Sequence, residues 1–422
     1  MREKAKKCVF VLIVAFIIAI YMILSSESTY QSIRSLGGEI YYLYLIRSFD
    51  VFVQWKSHPR EFCDGKFIAY GKELARLKEA VFVPDGKYGQ FKIQCQDRIT
   101  YHFNDIKNHN HLNDWLKGIG YIDRETYLQQ KQGSKKNHVT LAVFRYEYAN
   151  LFHQMTDYYN AFVAMKIFNL KPDNMDILIV DKSAKSQLDS NWDDLFGNVS
   201  FAKEMNEPVA YPDLIWAVLG YNSPLNFHSM NTISFVAEFS NFVKTRYGAQ
   251  INRPLDCSGI SILFIWRRDY VAHPGNPSGL VSRKIKNEKE LMESVQQDFP
   301  GHPVAGIQLD DYSMKDQLHW ISQTDILIAM HGAGLSHILF LPEHAGVLEM
   351  YPTYWPKTNR HFRAMARWKK LHYYNWQNIN PLNEYDKFYT YIPSVVVTQR
   401  VQSIYYDMCG KLPSKTPIKE PS

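Results

Sequence analysis

Several signatures are missing from this sequence, and each absence removes a class of chemistry. No D-x-D triplet occurs anywhere in its 422 residues. The acidic spacing that commonly holds a divalent cation on a diphosphate is therefore absent, and a diphosphate bound here would be neutralised by Arg, Lys, His and helix amides. No G-x-S-x-G elbow appears, which argues against a hydrolase built on that turn. Cysteine is scarce: Cys8, Cys63, Cys95, Cys257 and Cys409, with no C-x-x-C and no Cys/His spacing suited to zinc. No internal repeat or low-complexity block is present. Charge is also thin in the body of the chain. The net charge of +6 comes mostly from the ends, where Arg2, Lys4, Lys6 and Lys7 outweigh Glu3 and where Lys411, Lys415 and Lys419 outweigh Glu420. No basic face interleaves with aromatics, so no nucleic-acid partner is expected.

Hydrophobic residues, by contrast, make up 46% of the chain and aromatics 14%, enough for large cores. The run CVFVLIVAFIIAIYMIL, Cys8 to Leu24, carries no charge and is at the short end of what spans a bilayer core of ~30 Å. The basic cluster before it keeps the N-terminus cytoplasmic. A cleaved signal peptide is the alternative, but SSESTYQSI offers no small-x-small site, so an uncleaved anchor is expected. The body would then face an oxidising lumen. Cys63, Cys95, Cys257 and Cys409 could form two disulfides in any of three pairings, and the sequon NVS makes Asn198 a glycosylation candidate.

From Phe62 to about Ile122 the pattern is mixed and predicts no definite element. HVTLAVF (His138–Phe144) and MDILIVD (Met175–Asp181) read as buried strands flanking a long helix, Tyr148–Leu170. The second half repeats this alternation: strands ISILFIW, VAGIQLD, ILIAM and GVLEMYP, with helices over Glu288–Phe299, Ser313–Asp325 and Arg360–Leu371. Ser313 and Asp316 resemble a capping box. Uninterrupted apolar strands alternating with helices predict parallel sheets covered on both faces, and two such domains predict a ligand cleft between them. The tail KLPSKTPIKEPS reads as disordered.

Three stretches carry candidate chemistry. In AMHGAGLSHILFLP, Gly332 and Gly334 follow a strand and precede a helix-forming run, a place where backbone amides meet an anion. His331 and His337 flank that turn as donors to phosphate or sugar oxygens. The stretch is neither G-x-G-x-x-G nor a Walker loop, so nicotinamide and ATP readings are weak. In RYEYANLFHQMTDYY, Asn150, His153, Gln154 and Asp157 fall on one helix face. His153 and Asp157, four apart, can pair as an oriented general base. Arg145 and Glu147 sit at the preceding turn. In WRRDYVAHPGNPSGLVSRKI, Arg267, Arg268 and Arg283 can grip a diphosphate. Glu349, ending the strand GVLEMYP, can accept from ribose hydroxyls. Locally satisfied histidines, a solvated helix face and surface ion pairs are the competing structural readings.

Taken together, RYEYANLFHQMTDYY, RRDYVAHP, SRKIKNE, YSMKDQ and AMHGAGLSH resemble glycosyltransferase family 61, in particular its branch that adds β-1,2-xylose to N-glycans. They cover roughly Thr140 to Tyr374, and Met330 before the His–Gly pair is a departure. The pattern of Asn150, His153 and Asp157 also resembles the wider family, which includes O-linked N-acetylglucosamine transferases of the secretory pathway. The resemblance implies an α/β protein of GT-B type, with two Rossmann-like domains and a cleft between. The expected order is a cytoplasmic tail at 1–7, an anchor at 8–24, a stem at 25–60, an acceptor-side domain at 61–250, a nucleotide-sugar domain at 251–380 and an extension at 381–422. It further implies a type II Golgi membrane protein, or one of the endoplasmic reticulum. Such an enzyme inverts, uses UDP-xylose with no obligatory metal and acts on the core β-mannose of an N-glycan. His153, Asp157 or Glu147 would be the base. Arg267, Arg268, Arg283, Lys315, His331, Gly332, Gly334, His337 and Glu349 would hold the donor, and Arg145 and Asn150 the acceptor. A UDP-N-acetylglucosamine-dependent enzyme acting on luminal proteins, and a catalytically silent glycan-binding protein, are the alternatives.

Overall fold

The mixed stretch near the N-terminus folds as an antiparallel meander. In the computed structural model, residues 59–411 are described, apart from 86–88, 105–110, 132–137, 217–222, 272 and 274. The expected anchor at 8–24, the stem to residue 58 and the tail beyond 411 lie outside them. Among the described residues no helix is long and apolar enough to cross a membrane.

β1 (Arg60–Phe62), β2 (Phe67–Tyr70) and β3 (Leu74–Val83) run antiparallel. β4 (Gln90–Ile93) pairs antiparallel with β3, and β5 (Gly120–Tyr121) pairs parallel with β4. Helices α1 (His111–Lys117) and α2 (Arg124–Gln130) accompany them. The expected β-α-β unit follows as β6 (Val139–Val143), α3 (Leu151–Ile167) and β7 (Met175–Ile179), with parallel strands. After α4 (Ser190–Phe196), β8 (Val199–Phe201) extends this parallel set. β9 (Val209–Trp216) lies parallel to β6 on one edge and antiparallel to β3 on the other. The order is β1-β2-β3-β9-β6-β7-β8, with β4 and β5 branching from β3. This sheet is therefore mixed, where the alternation pattern predicted parallel strands only. The meander is glued by aromatics that no helix period organises: Phe67, Phe82, Phe91, Phe103, Trp115 and Trp216 form one buried cluster.

The second half follows the sequence pattern closely. α5 (Val236–Arg246) leads to β10 (Ile262–Trp266), then β11 (Lys284–Ile285), α6 (Glu288–Asp298), β12 (Val304–Gln308), α7 (Met314–Ser322), β13 (Ile326–Met330), β14 (Gly346–Tyr351), α8 (His361–Trp368) and β15 (His372–Gln377). The sheet order is β12-β10-β13-β14-β15, all parallel. β10, β13 and β14 are buried at every position, as continuous apolar runs require. Ser313 caps α7, its hydroxyl accepting from the Asp316 amide. β16 (Glu384–Tyr385) and β17 (Tyr389–Thr390) join β11 in a small separate sheet. The last helix, α9 (Ser394–Cys409), had no signal in our reading. It packs Val397, Val401 and Ile404 into the core of Leu291, Val295 and Phe299. Disulfides Cys63–Cys95 and Cys257–Cys409 select one of the three pairings, and the second ties α9 back to the segment before β10. All described residues fall in one compact unit.

In this topology β10 is followed by β12 on one side and by β13 on the other. The crevice beyond the carboxyl ends of β10 and β13 is therefore a switch point, where open α/β sheets bind ligands.

Candidate functional site

A cavity of about 300 Å³ opens at that switch point. One wall comes from the first half of the chain: Glu147, Ala149, Asn150 and Leu151 at the β6–α3 turn, and Ser186 to Leu188 after β7. The opposite wall comes from the second: the end of β10 with Arg267, Arg268 and Tyr270, then Arg283, Leu309, Asp310 and Gln317, and Ala333 and Gly334 after β13.

Arg267 and Arg283 dominate its electrostatics. Neither has an Asp or Glu partner among the described residues. Arg267 donates from Nε to the Ser282 carbonyl at 3.0 Å, and burial lowers its pKa. Arg283 lies with its guanidinium carbon 4.0 Å from the Trp355 ring centroid, a cation–π contact, and its Nε is buried without a hydrogen-bond partner. Burial and then the Arg267 charge push Arg283 down to about 10. Its backbone sits at φ +64°, a left-handed conformation that costs a side-chain-bearing residue energy. Two cations held close together without counter-charge, one of them on a strained backbone, make a site waiting for an anion.

The glycines serve this pair. A Cβ on Gly332 would fall 2.1 Å from Arg267 Nη1, and one on Gly334 would fall 2.9 Å from Leu309 Cδ1. Gly332 is extended (φ 170°, ψ 167°), so it answers to space and not to backbone conformation. Sequence reasoning assigned the close approach to a ligand, whereas at Gly332 it is Arg267 that comes close. The following run is a 3-10 helix, Ala333–Phe340, and not an α-helix.

Glu147, Asn150, Arg267, Arg268, Arg283 and Gly334 thus come together on the cavity wall. Arg268 is held by Glu288 (Nη2 to Oε2 2.6 Å), so it contributes less free charge. Glu147 accepts from the Ala149 amide at 3.0 Å, and His273 Nε2 lies 3.5 Å from its Oε1. Asn150 caps α3, accepting from Phe152 N at 2.9 Å.

Other candidates stand off the wall, and their surroundings correct the reading of the sequence. Arg145 is buried, clamped by Asp181 and Asp189, and does not face the acceptor side of the cavity. Lys315 is exposed on α7 and is not among the residues that line the cavity, although Gln317 on the same helix is. His331 gives Nδ1 to a hydrogen bond with Glu349, whose other oxygen accepts from Tyr373. Glu349 is 0% exposed and cannot reach a ribose. His337 is also fully buried. Its Nδ1 faces the Gly334 carbonyl at 2.9 Å, and desolvation pushes it down to about 4, so it is a neutral packing residue.

The His153–Asp157 pair does not form. Helix α3 packs against the 333–340 segment, and Trp192 of α4 donates to Gln154 at 3.2 Å, so the polar face expected in solvent is buried, with Gln154 at 0% and Asp157 at 1% exposure. Desolvation, reinforced by Asp181 and opposed by Arg145, raises the Asp157 pKa well above the usual carboxylate range. Burial lowers His153, and the charge it responds to is Glu147. Trp355 and Asp310 lie outside every motif, and Tyr270, His273 and Gln317, although inside RRDYVAHP and YSMKDQ, carry no assigned role there. Asn198 is exposed, its amide donating to Asp176 Oδ1 at 2.9 Å. Among the described residues no three His, Cys, Asp or Glu side chains gather as a metal cluster.

Comparison with known proteins matches this part of the chain to a family model. The Glycosyltransferase 61 model matches residues 149–348, which span α3 to β14 and include the cation pair. The chain is 32% identical over 263 residues to the β-1,2-xylosyltransferase RCN11 of Oryza sativa subsp. japonica (56% of this chain, 48% of the relative). It is 31% identical over 302 residues to the β-1,2-xylosyltransferase of Arabidopsis thaliana (62% and 55%). It is 26% identical over 260 residues to the EGF domain-specific O-linked N-acetylglucosamine transferase of Canis lupus familiaris (56% and 45%). The chain spans about half the length of these curated relatives. Residues 149–348, with the cation pair and glycine turn inside them, are thus similar to the glycosyltransferase 61 domain.

Proposed function

We propose that this protein is a UDP-sugar-dependent, inverting glycosyltransferase of GT-B type that transfers xylose from UDP-xylose to the core β-mannose of N-glycans. The observation that carries the reading is the unneutralised pair Arg267 and Arg283 at the sheet switch point, facing a carboxylate, Glu147, across one cavity. The family-model match and the similarity to two xylosyltransferases support the reaction and the sugar.

The acceptor hydroxyl oxygen attacks the anomeric carbon while its proton passes to Glu147. The bond from that carbon to the diphosphate oxygen breaks, and UDP departs with the electron pair. Arg267, Arg283 and the amides near Gly334 stabilise the charge on the leaving group. Glu147 is preferred to Asp157 as base because it reaches the cavity and Asp157 does not. Residues 61–250 would supply the acceptor side and residues 251–380 the donor side. Two disulfides and an exposed sequon at Asn198 suit a luminal body, with 8–24 as its Golgi anchor and the endoplasmic reticulum as the other compartment.

Similarity to the O-linked N-acetylglucosamine transferases favours a second reading, with UDP-N-acetylglucosamine as donor and a luminal protein as acceptor. Turnover of UDP-xylose against UDP-N-acetylglucosamine, on an N-glycan bearing exposed terminal N-acetylglucosamine, separates the two. UDP-xylose is expected to be used and Arg283→Ala to lose more than about tenfold in kcat/KM. Turnover of UDP-N-acetylglucosamine alone moves the assignment to the second reading. Glycan binding without turnover of either donor overturns the enzymatic assignment.

A further inference from the structure

The cavity is lined by two carboxylates, which sit on different walls. Glu147 lies at the wall formed by the β6–α3 turn. On the opposite wall, two residues past β12, stands Asp310. β12 is the edge strand beside β10, their last residues paired as Trp266 with Gln308. Asp310 therefore sits next to the exit of β10 that carries Arg267 and Tyr270.

Among the described residues Asp310 makes no ion pair, although three arginines line the same cavity. Its carboxylate accepts from Gln308 Nε2, 2.8 Å from Oδ2. A carboxylate only accepts, so further lone pairs remain to be met by donors. Tyr270 is 38% exposed and lines the same cavity as Asp310, whose charge, after desolvation, helps to raise its phenol pKa.

From this placement we infer that Tyr270 and Asp310 form the nucleoside end of the donor site: Asp310 accepts from the vicinal ribose hydroxyls, and Tyr270 offers a ring face to the base. The inference rests on the cavity being a nucleotide-sugar site and adds an orientation to it. The diphosphate lies on Arg267 and Arg283, the transferred sugar points to Glu147 and the ribose points to β12. Asp310 takes the role that sequence reasoning gave to Glu349, which is sealed beneath His331. A bare diphosphate has no use for such a carboxylate, whereas a ribonucleotide has two hydroxyls for it. A site built around a hydroxyl discriminates strongly against an analogue that lacks it.

Calorimetry on the intact chain tests this with UDP, 2′,3′-dideoxyuridine diphosphate and inorganic pyrophosphate. Wild type should prefer UDP to the dideoxy analogue by roughly tenfold or more. Asp310→Ala should shrink that preference to within about twofold and leave pyrophosphate affinity unchanged. Asp310→Asn keeps the shape at the site and guards against loss of fold, and it too should lose most of the preference. An equal affinity of wild type for both nucleotides, or a preference that survives in both variants, overturns the inference. If wild type binds neither UDP nor pyrophosphate, and Arg283→Ala changes nothing, the nucleotide-sugar reading itself falls and takes this inference with it.

Discussion

At Gly332 a single methyl group decides where a charge can sit. The side chain of Arg267 occupies the volume a Cβ would need, 2.1 Å from Nη1. Gly332→Ala should therefore displace the guanidinium and not strain the turn. UDP affinity is expected to fall by roughly tenfold, read by calorimetry, with thermal stability changed by no more than a degree or two. The carboxylates separate in the same way. Glu147→Gln should cut kcat by about 10²-fold or more with little change in KM. Asp157→Asn should leave kcat within a few-fold. Asp157 has a raised pKa, so its cost to the fold appears as pH climbs above the unfolded value. Removing the charge should leave the protein equally or more stable at pH 7. A dead but folded Asp157→Asn would return the base to α3.

Among elements, α3 was the most misleading to read. Its existence followed from the apolar period, but it runs Leu151–Ile167 where Tyr148–Leu170 was expected, and Asn150 is its N-cap instead of a residue on its face. Its surroundings did not follow, because a helical wheel shows which residues share a face and not what covers it. The side carrying Gln154 and Asp157 looked solvated and is packed. β10, β12, β13 and β14, and α6 and α7 between them, were legible to within a few residues because continuous apolar strands and caps are local signals. β9, β15 and α9 were missed. β15 is half-buried along its length, and α9 is amphipathic only over spaced valines. The 333–340 segment buries a further element-scale property. His337, at about 4, and His361 on α8, at about 3, stay neutral in the fold, while an unfolded histidine titrates near ~6.5. Desolvation dominates at both; at His361 the facing His228, His331 and His153 add to it, and at His337 the Gly334 carbonyl opposes it. Both folded values lie below the unfolded one, so this stability is complete above pH 6.5 and drains away as pH falls toward 4. Each histidine should contribute a slope approaching about 1.4 kcal/mol per pH unit in that window. Urea unfolding at pH 7 and pH 5 measures it, and His361→Gln should flatten the difference.

For the whole molecule, what sequence could not supply was long-range pairing. Nothing local indicated that a nine-stranded mixed sheet would form across β9, or that Cys257 would find Cys409 at a separation of 152 residues. That bond closes a loop holding the entire second sheet. Cys257→Ser with Cys409→Ser should cost about 3–5 kcal/mol in denaturant unfolding, more than opening Cys63–Cys95 at a separation of 32. The site residues were partly legible for the same reason. Arg267, Arg283, Gly334 and Glu147 belong to short motifs, whereas Asp310 and Trp355 acquire meaning only once β12 and the Tyr351–Trp355 turn are placed beside β10. Arg283 leaves a practical legacy. Its left-handed backbone and its desolvated cation both weigh against the unliganded fold, so Arg283→Gly should melt later than the parent in the absence of nucleotide. Heat-tolerance selection performed on empty protein would discard this side chain first and deliver a sturdier, inactive scaffold; performed with UDP present, the same selection would keep it.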